Sequence, residues 1–203
     1  MSATARTSKA GGDRGPAAGS LRADATRNVA QIRAAALAAF HGRGLATPLE
    51  EIATAAGVSK ATIYNRFGGR QGLIDAVIEE LVAAEMYAIM ARAQRVDDPW
   101  ESIATYITDR RDLQYREPAF TDALRMIYPE SGRLVALARA ATEVTASLIR
   151  QGHDAGVVRR DFTAADLYYA DVANGLALLA EPTPSREDYD RRTRFFLDSL
   201  RPR

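Results

Sequence analysis

From residue 24 to the C-terminus, apolar residues recur at intervals of three or four, the spacing that is typical of amphipathic helices. In the segment NVAQIRAAALAAF, for example, Val29, Ile32, Ala36, Leu37 and Phe40 lie at this spacing. No segment alternates apolar and polar residues between hairpin turns, as strands do. The pattern therefore predicts an all-α fold of about nine helices.

Capping residues and prolines mark where these helices begin. In Thr47-Pro48-Leu49-Glu50, a hydroxyl can cap the helix, proline suits the first helical position and the acid can close a capping box. Ser59 can cap the helix that follows, and a long helix is expected from about Arg70 to Arg92. Three similar start signals occur later, at Asp98-Pro99, Thr163 to Asp166 and Ser185 to Asp188.

The composition divides the chain into three parts. Residues 1–23 are rich in Ala, Gly, Ser and Thr with scattered basic residues, which predicts a disordered basic arm. Residues 24–69 contain three helical segments with a short turn, Ala56-Gly57-Val58, between the second and the third. Residues 70–203 hold the remaining helices and form a second domain.

Charge and composition narrow the possible functions. The 203 residues carry a net charge of only +1, so a nucleic-acid surface would have to be a local patch. The chain has no cysteine and no apolar run long enough to cross a bilayer, and we expect a cytoplasmic protein without a membrane partner. His41 and His153 lack metal-ligand partners at useful spacing, and no nucleophile–base pair or phosphate-binding glycine loop is present. We therefore expect no metal site, no cofactor and no catalytic site.

The segment VSKATIYNRFGGR, residues 58–70, predicts a short helix with two different faces. Ile63 and Phe67 lie one turn apart and can pack on Phe40, Ile52 and Ala53. The opposite face is small and polar, with a hydroxyl on each side and a lysine at its start. Its residues are Ser59, Lys60, Ala61, Thr62, Tyr64, Asn65 and Arg66.

Such a face is suited to the major groove of DNA. Small and polar residues allow a close approach to base edges, and flanking hydroxyls can donate to phosphates on both groove walls. Arg70, at the start of the long helix, adds a cation. Two short helices joined by a tight turn match the helix-turn-helix, in which the second helix contacts the bases.

Residues 27–74 resemble the DNA-binding domain of the tetracycline-repressor (TetR) family of bacterial transcriptional regulators. The resemblance rests on AAALAAFHGRGLATPLEEIATAAGVSKATIYNRFGGRQGLI, with its A-A-x-x-x-F, T-x-x-x-I-A-x-x-A-G-V-S and T-I-Y-x-x-F patterns. Lys60, Arg66 and Gly68-Gly69-Arg70 depart from the family's common residues. The resemblance implies phosphate contacts by Thr47, Thr62, Tyr64 and Arg70 and base contacts by Lys60, Ala61 and Asn65.

The resemblance also implies a double-stranded DNA operator, a homodimer, and a C-terminal domain that binds a small-molecule effector and thereby releases DNA. We expect the effector to be apolar or aromatic, because Arg110, Arg111 and Asp112 are expected to point outward. The predicted ligand-binding residues are Trp100, Ile103, Tyr106, Phe120, Leu124, Ile127, Tyr128 and Tyr168.

The last two helices are expected to form the dimer interface, in a four-helix bundle with their copies. Small residues along ADLYYADVANGLALLA would allow the two subunits to approach closely, while Phe195 would anchor the last helix to its own domain. The predicted interface residues are Leu167, Asn174, Gly175, Leu178, Phe196 and Leu200.

Each of these residues also has an ordinary structural explanation. Tyr64 could be an amphipathic core residue, Lys60 a solvated lysine and Arg70 half of a surface ion pair, while aromatic residues at helical spacing are often plain core. The alternative function is a helical small-molecule-binding or interaction protein that does not bind an operator. The polar outer face of residues 59–66 favours the DNA-binding regulator.

Overall fold

The computed structural model describes residues 18–125 and 129–202, with side chains from Ala25 onward. In this part of the chain nine helices and no strands are present, which confirms the predicted all-α fold. They are α1 (Ala18–Arg43), α2 (Leu49–Ala55), α3 (Lys60–Phe67), α4 (Arg70–Ile78, Glu79–Ala83 and Ala84–Ala93), α5 (Pro99–Arg116), α6 (Pro118–Leu124), α7 (Gly132–Asp154), α8 (Ala164–Ala177) and α9 (Arg186–Ser199).

The first three helices contribute apolar residues to one end of a continuous core. Ile32 and Phe40 of α1, Ile52 of α2 and Ile63 of α3 are completely buried, and Phe67 packs at the edge. This is the packing predicted from the apolar face of α3. Because its other face has no core to join, α3 presents that face to solvent.

Most of the predicted helix starts are confirmed. Ser59, Asp98 and Ser185 each accept a hydrogen bond from a backbone N–H in the first turn of α3, α5 and α9. Thr163 forms a complete capping box with the acid of the first turn of α8. Ser131 caps α7 in the same way, although the sequence analysis did not single it out. The caps therefore fix the N-terminal ends of five of the helices.

The predicted cap at Thr47 is wrong. Pro48 occupies the capping position of α2, and no side chain caps this helix. The Thr47 hydroxyl instead donates to the carbonyl oxygen of Gly44 at 2.9 Å. Glu50 does not close a capping box, because its carboxylate pairs with Lys60. The hydroxyl of Thr47 is therefore turned toward the end of α1.

The long helix α4 is continuous but contains one π-helical segment, Glu79–Ala83. The backbone stays in the right-handed helical region at both junctions, Ile78 and Ala83. A π segment holds one more residue than the α-helical turn it replaces, and it rotates the apolar face of the residues that follow it in the helix. Its residues Leu81, Val82 and Ala83 are all buried.

The second domain is arranged around α5, which contacts α4, α6, α7, α8 and α9. Ile103, Tyr106 and Ile107 of α5 are buried in its core. The short helix α6 also contacts α1, so it packs against the first helix of the chain as well as against α5 and α8. No helix in the described part of the chain is long and apolar enough to cross a membrane.

The predicted basic arm, 1–23, lies mostly outside the described residues. Helix α1 already begins at Ala18, inside the segment that the composition assigned to the arm. Alanine, leucine and arginine, which make up much of residues 18–23, are strong helix formers.

A glycine sets the distance between α3 and α4. A Cβ atom on Gly72 would lie 1.7 Å from the carbonyl oxygen of Phe67, which is backbone and cannot turn aside. Gly72→Ala should therefore lower the free energy of unfolding by roughly 1–3 kcal/mol, although Gly→Ala inside a helix normally stabilises. Gly132→Ala is the control, because a Cβ there meets nothing within 4 Å. Equal stability of the two variants in urea unfolding would contradict the close contact.

Candidate nucleic-acid interface and ligand cavity

The outer face of α3 is exposed as its sequence predicts. Lys60, Ala61, Tyr64, Asn65 and Arg66 are all exposed, together with the capping residue Ser59, and Thr62 is half-buried. The Ser59 hydroxyl lies 2.9 Å from that of Thr62 and also accepts the Thr62 N–H. The structure therefore brings these predicted DNA-facing residues together on one surface.

The Tyr64 side chain lies against one of the two glycines that follow α3. Gly68 has φ 74° and ends α3 in the left-handed conformation, and Gly69 follows with φ 98°. A Cβ atom on Gly69 would lie 2.9 Å from Cε1 of Tyr64. The ring of Tyr64 thus lies against the Gly69 backbone, and half of the residue is exposed to solvent.

Lys60 is held by a neighbouring acid. Its ammonium group pairs with the carboxylate of Glu50 on α2 and lies 5.9 Å from the centre of the Tyr64 ring. The hydrogen bond between them lowers the pKa of Glu50 and raises the pKa of Lys60. Both side chains are exposed, so the pair contributes little to stability. Its effect is to join the two helices of the helix-turn-helix at the outer surface.

The other predicted phosphate contacts differ in availability. Thr47 is only 3% exposed, so its side chain is poorly placed to contact a phosphate. Arg70 is half-buried and donates to the carbonyl oxygen of Leu45 at 2.8 Å. Arg66 is exposed and has no ion-pair partner within the described residues. Arg66 is therefore the better placed of the two arginines for a phosphate.

Two carboxylates on or beside α6 connect this helix to the end of α1. Glu117 contacts Nδ1 of His41 at 2.5 Å, and Asp122 accepts the N–H of Leu45 at 2.7 Å. Burial raises the pKa of Glu117, with His41 acting in the opposite direction. Burial also raises the pKa of Asp122, opposed by the Leu45 N–H. Both contacts hold the end of α1, directly before the helix-turn-helix.

A cavity of about 430 Å³ lies among the helices of the second domain. This volume is within the range of small-molecule sites, and most of the lining is apolar. The residues come from α4 to α8: Met86, Arg110, Phe120, Ala123, Leu124, Leu134, Leu137, Ala138, Ala141, Thr142, Thr145, Ala164, Ala165, Leu167, Tyr168 and Tyr169.

Three of the predicted ligand-binding residues, Phe120, Leu124 and Tyr168, line this cavity. Trp100, Ile103 and Tyr106 do not: the first packs under Arg201, and the other two are buried core. The predictions for Ile127 and Tyr128 lie outside the described residues. Sequence reasoning missed the contribution of α7, although its strong apolar face, including Leu134 and Leu137, was a usable signal.

The prediction that Arg110 and Arg111 point outward is wrong. They are 5% and 4% exposed, and both contact the buried carboxylate of Asp171 on α8, at 3.0 and 3.4 Å. Burial lowers the pKa of Arg111, with Asp171 opposing it. Asp112 alone follows the prediction, because it pairs with arginines at the surface. Buried charges are tolerated only when they are paired, and α8 supplies the partner.

Four predicted dimer-interface residues are buried inside their own subunit. Leu167 lines the cavity, Asn174 donates to Gln114 at 3.1 Å, and Leu200 is buried at the end of α9. A Cβ atom on Gly175 would lie 2.5 Å from Nε2 of Gln114, so this glycine serves the packing of α8 on α5.

The two adjacent phenylalanines of α9 are reversed relative to the prediction. Phe196 packs edge-to-face on Phe162 and beneath Arg111, whereas Phe195 is largely exposed. Leu178 is half-buried. Five large apolar residues of α8, of the turn that follows it and of α9 are exposed: Tyr168, Tyr169, Leu176, Leu179 and Phe195.

Comparisons with known proteins agree with this architecture. Residues 32–77 match the family described as bacterial regulatory proteins, tetR family. The HTH-type transcriptional regulatory protein RaaS of Mycobacterium tuberculosis is 29% identical over 152 residues, which cover 74% of this chain and 69% of that protein.

Solved structures share the fold. The ketosteroid transcriptional regulator KstR2 of Mycobacterium tuberculosis has a TM-score of 0.62 at 15% identity, over 88% of this chain and 96% of its own. The fatty acid degradation regulator FadR of Bacillus halodurans has a TM-score of 0.56 at 14% identity, over 84% of this chain and 96% of its own.

The helix-turn-helix and the helical second domain define a DNA-binding transcriptional regulator. Within that class, residues 32–77 match the DNA-binding domain of the TetR family of bacterial regulatory proteins.

The raised pKa of Asp122 predicts a specific dependence of stability on pH. Because the folded-state pKa lies above the unfolded value, the stability that this group contributes is complete below the ordinary aspartate pKa, near 4. It is lost as the pH rises through the raised value. Relative to wild type, Asp122→Asn should therefore become more stable as the pH increases across this window.

Urea unfolding at a series of pH values measures this difference. Asp97→Asn, in an exposed turn, controls for the loss of one negative charge. A wild-type advantage over Asp122→Asn that grows with pH would contradict the burial of this carboxylate.

Proposed function

We propose that this chain is a ligand-responsive repressor that binds a palindromic operator as a homodimer. A small molecule entering the cavity would release it from DNA. We propose a regulatory and not a catalytic role, because the related proteins named above are regulators. Binding of double-stranded operator DNA would take place in the cytoplasm and would need no cofactor.

The observation that carries the proposal is the exposed polar face of α3. Its apolar face is sealed against α1 and α2, while Lys60, Ala61, Tyr64 and Asn65 face solvent. A helix placed in this way can enter the major groove and contact base edges. Thr62, Tyr64 and Arg66 flank the face and would contact phosphates.

Ligand control is supported by the position of α6. Phe120, Ala123 and Leu124 line the cavity, while Glu117 and Asp122 contact the end of α1. A ligand that moves α6 would therefore change the contacts that position the helix-turn-helix. The apolar lining favours an apolar effector. Of the two solved structures named above, FadR is described as a fatty acid degradation regulator and KstR2 as a ketosteroid transcriptional regulator.

Dimerisation is supported by the exposed apolar residues near the C-terminus. Leu176, Leu179 and Phe195 are apolar residues that a monomer would leave in water, and a dimer could cover them. One recognition helix covers only a few base pairs, and a two-fold dimer would place a second one on a symmetric site. This outward-facing set replaces the interface predicted from the sequence.

A DNA-binding assay on the region flanking the coding sequence tests the proposal. The logarithm of the association constant should fall linearly with the logarithm of the salt concentration, with a slope set by the number of phosphates contacted. Loss of affinity on addition of an apolar ligand would support control by the cavity. Absence of salt-dependent binding to this DNA and to a random operator library would favour the alternative, a ligand-binding or interaction protein.

Substitutions on α3 should separate base contacts from phosphate contacts. Tyr64→Phe removes one hydroxyl and keeps the ring on Gly69. It should weaken binding to every operator variant alike, by roughly 1 kcal/mol. Lys60→Ala should instead change the order of preference among operator variants. A uniform loss in Lys60→Ala, with a salt slope lower by about one unit, would assign Lys60 to a phosphate.

Leu176→Arg should dissociate the proposed dimer, because it places a charge in an apolar interface. Leu176 is exposed in the single chain, so the substitution leaves the subunit core intact. Val135→Arg, at an exposed apolar position on α7, is the matched control. Sedimentation should show monomers for Leu176→Arg and dimers for Val135→Arg. In the DNA-binding assay, Leu176→Arg should bind the operator more weakly. A dimeric Leu176→Arg protein would exclude this surface.

A further inference from the structure

We infer that the cavity binds an apolar molecule that carries one carboxylate, and that Arg110 receives this carboxylate. The inference rests on the proposed ligand-responsive function and specifies the chemistry of its effector. It depends on three features of the cavity: its apolar walls, the excess of positive charge behind one wall, and a guanidinium N–H without a partner.

The walls suit a hydrophobic body. Met86, Phe120, Leu124, Leu134 and Leu137 face the cavity from three different helices. Burying an apolar ligand against such side chains contributes about 25 cal/mol for each Å² removed from water. These residues provide affinity, but they do not distinguish one apolar molecule from another.

The charges behind the wall do not balance. Arg110 and Arg111 are both buried, and within the described residues Asp171 is the one carboxylate that lies within 4 Å of either guanidinium. Two guanidinium groups and one carboxylate leave one net positive charge. An unbalanced buried charge is costly, and an anion placed beside it would remove that cost.

Arg110 is the arginine that reaches the cavity. One of its terminal nitrogens contacts Asp171 at 3.0 Å, and its guanidinium lies 5.0 Å from the centre of the Tyr106 ring. Its Nε is buried and has no hydrogen-bond partner within the described residues. An unsatisfied buried donor on a charged group is rare, and a carboxylate oxygen is the acceptor that a guanidinium bonds most strongly.

The hydroxyls near Arg110 do not accept a hydrogen bond from its Nε. The hydroxyls of Tyr106 and Thr145 lie 3.0 Å apart and are bonded to one another. The Tyr106 hydroxyl also lies 3.3 Å from the carbonyl oxygen of Ala141 and interacts with Arg110, yet Nε of Arg110 has no hydrogen-bond partner within the described residues. Thr145 also lines the cavity. A ligand with a neutral or cationic end would leave the excess positive charge in place.

Calorimetry with pairs of probes that share a body tests the inference. Dodecanoate is compared with 1-dodecanol, and 2-naphthoate with 2-naphthol, using the wild-type protein without DNA. The carboxylate of at least one pair should bind about tenfold to a hundredfold more tightly than its alcohol, the range of a hydrogen bond to a charged group. Equal binding, tighter binding of the alcohols, or no binding of either carboxylate would overturn the inference.

Two variants assign the preference to Arg110. Arg110→Met should abolish the difference between carboxylate and alcohol, whereas Leu137→Ala should weaken both members of a pair equally. Retention of the full preference in a folded Arg110→Met protein would overturn the assignment. The wild-type comparison needs no variant, so the carboxylate preference is tested even if Arg110→Met does not fold.

The same probes, added to the protein–DNA complex, separate this inference from the proposed function. Carboxylate binding without release of DNA would support the cavity chemistry and contradict ligand control. Release of DNA by the neutral probes alone would support ligand control and contradict the carboxylate.

Discussion

The second domain depends on a buried polar contact between α5 and α8. Asp171 holds Arg110 and Arg111, while Gln114, one turn further along α5, donates to the carbonyl oxygen of Asp171 at 2.9 Å. Tyr189 extends the network to α9 by donating to Gln114 at 3.0 Å. Removing one member of a buried ionic network leaves the others unpaired, so these positions constrain one another. The network joins both α8 and α9 to α5, and Arg110 connects it to the lining of the cavity.

The short helix α6 gives the cavity a mechanical connection to the DNA-binding domain. This helix spans only Pro118–Leu124, yet its residues both line the cavity and contact the end of α1. Ala119, Phe120, Thr121 and Ala123 of this helix are buried, so a displacement of α6 would also move the groups that it contacts on α1. In the proposed function, ligand binding and helix-turn-helix orientation would be coupled through this direct contact rather than through a long chain of side chains.

The sequence predicted the elements better than it predicted which side of each element is buried. Ser59, Asp98, Thr163 and Ser185 marked helix starts, because capping is a local interaction that a few residues determine. Arg110 and Arg111 were misplaced, because the partner that makes their burial possible lies about sixty residues away on α8. Neighbouring apolar residues are equally ambiguous: contacts with Phe162 and Arg111, both distant in sequence, accompany the inward position of Phe196, while Phe195 is exposed.

The π-helical segment of α4 has a consequence for the length of the chain. Elsewhere in a helix, the loss of one residue rotates everything that follows by about 100° and turns the apolar face away from its core. Within Glu79–Ala83 the same loss would convert the π segment into a regular α-helical turn and leave both flanking faces in register. A relative with one residue fewer at this point can keep the same two domains in the same orientation, so a gap here need not mark a change of fold.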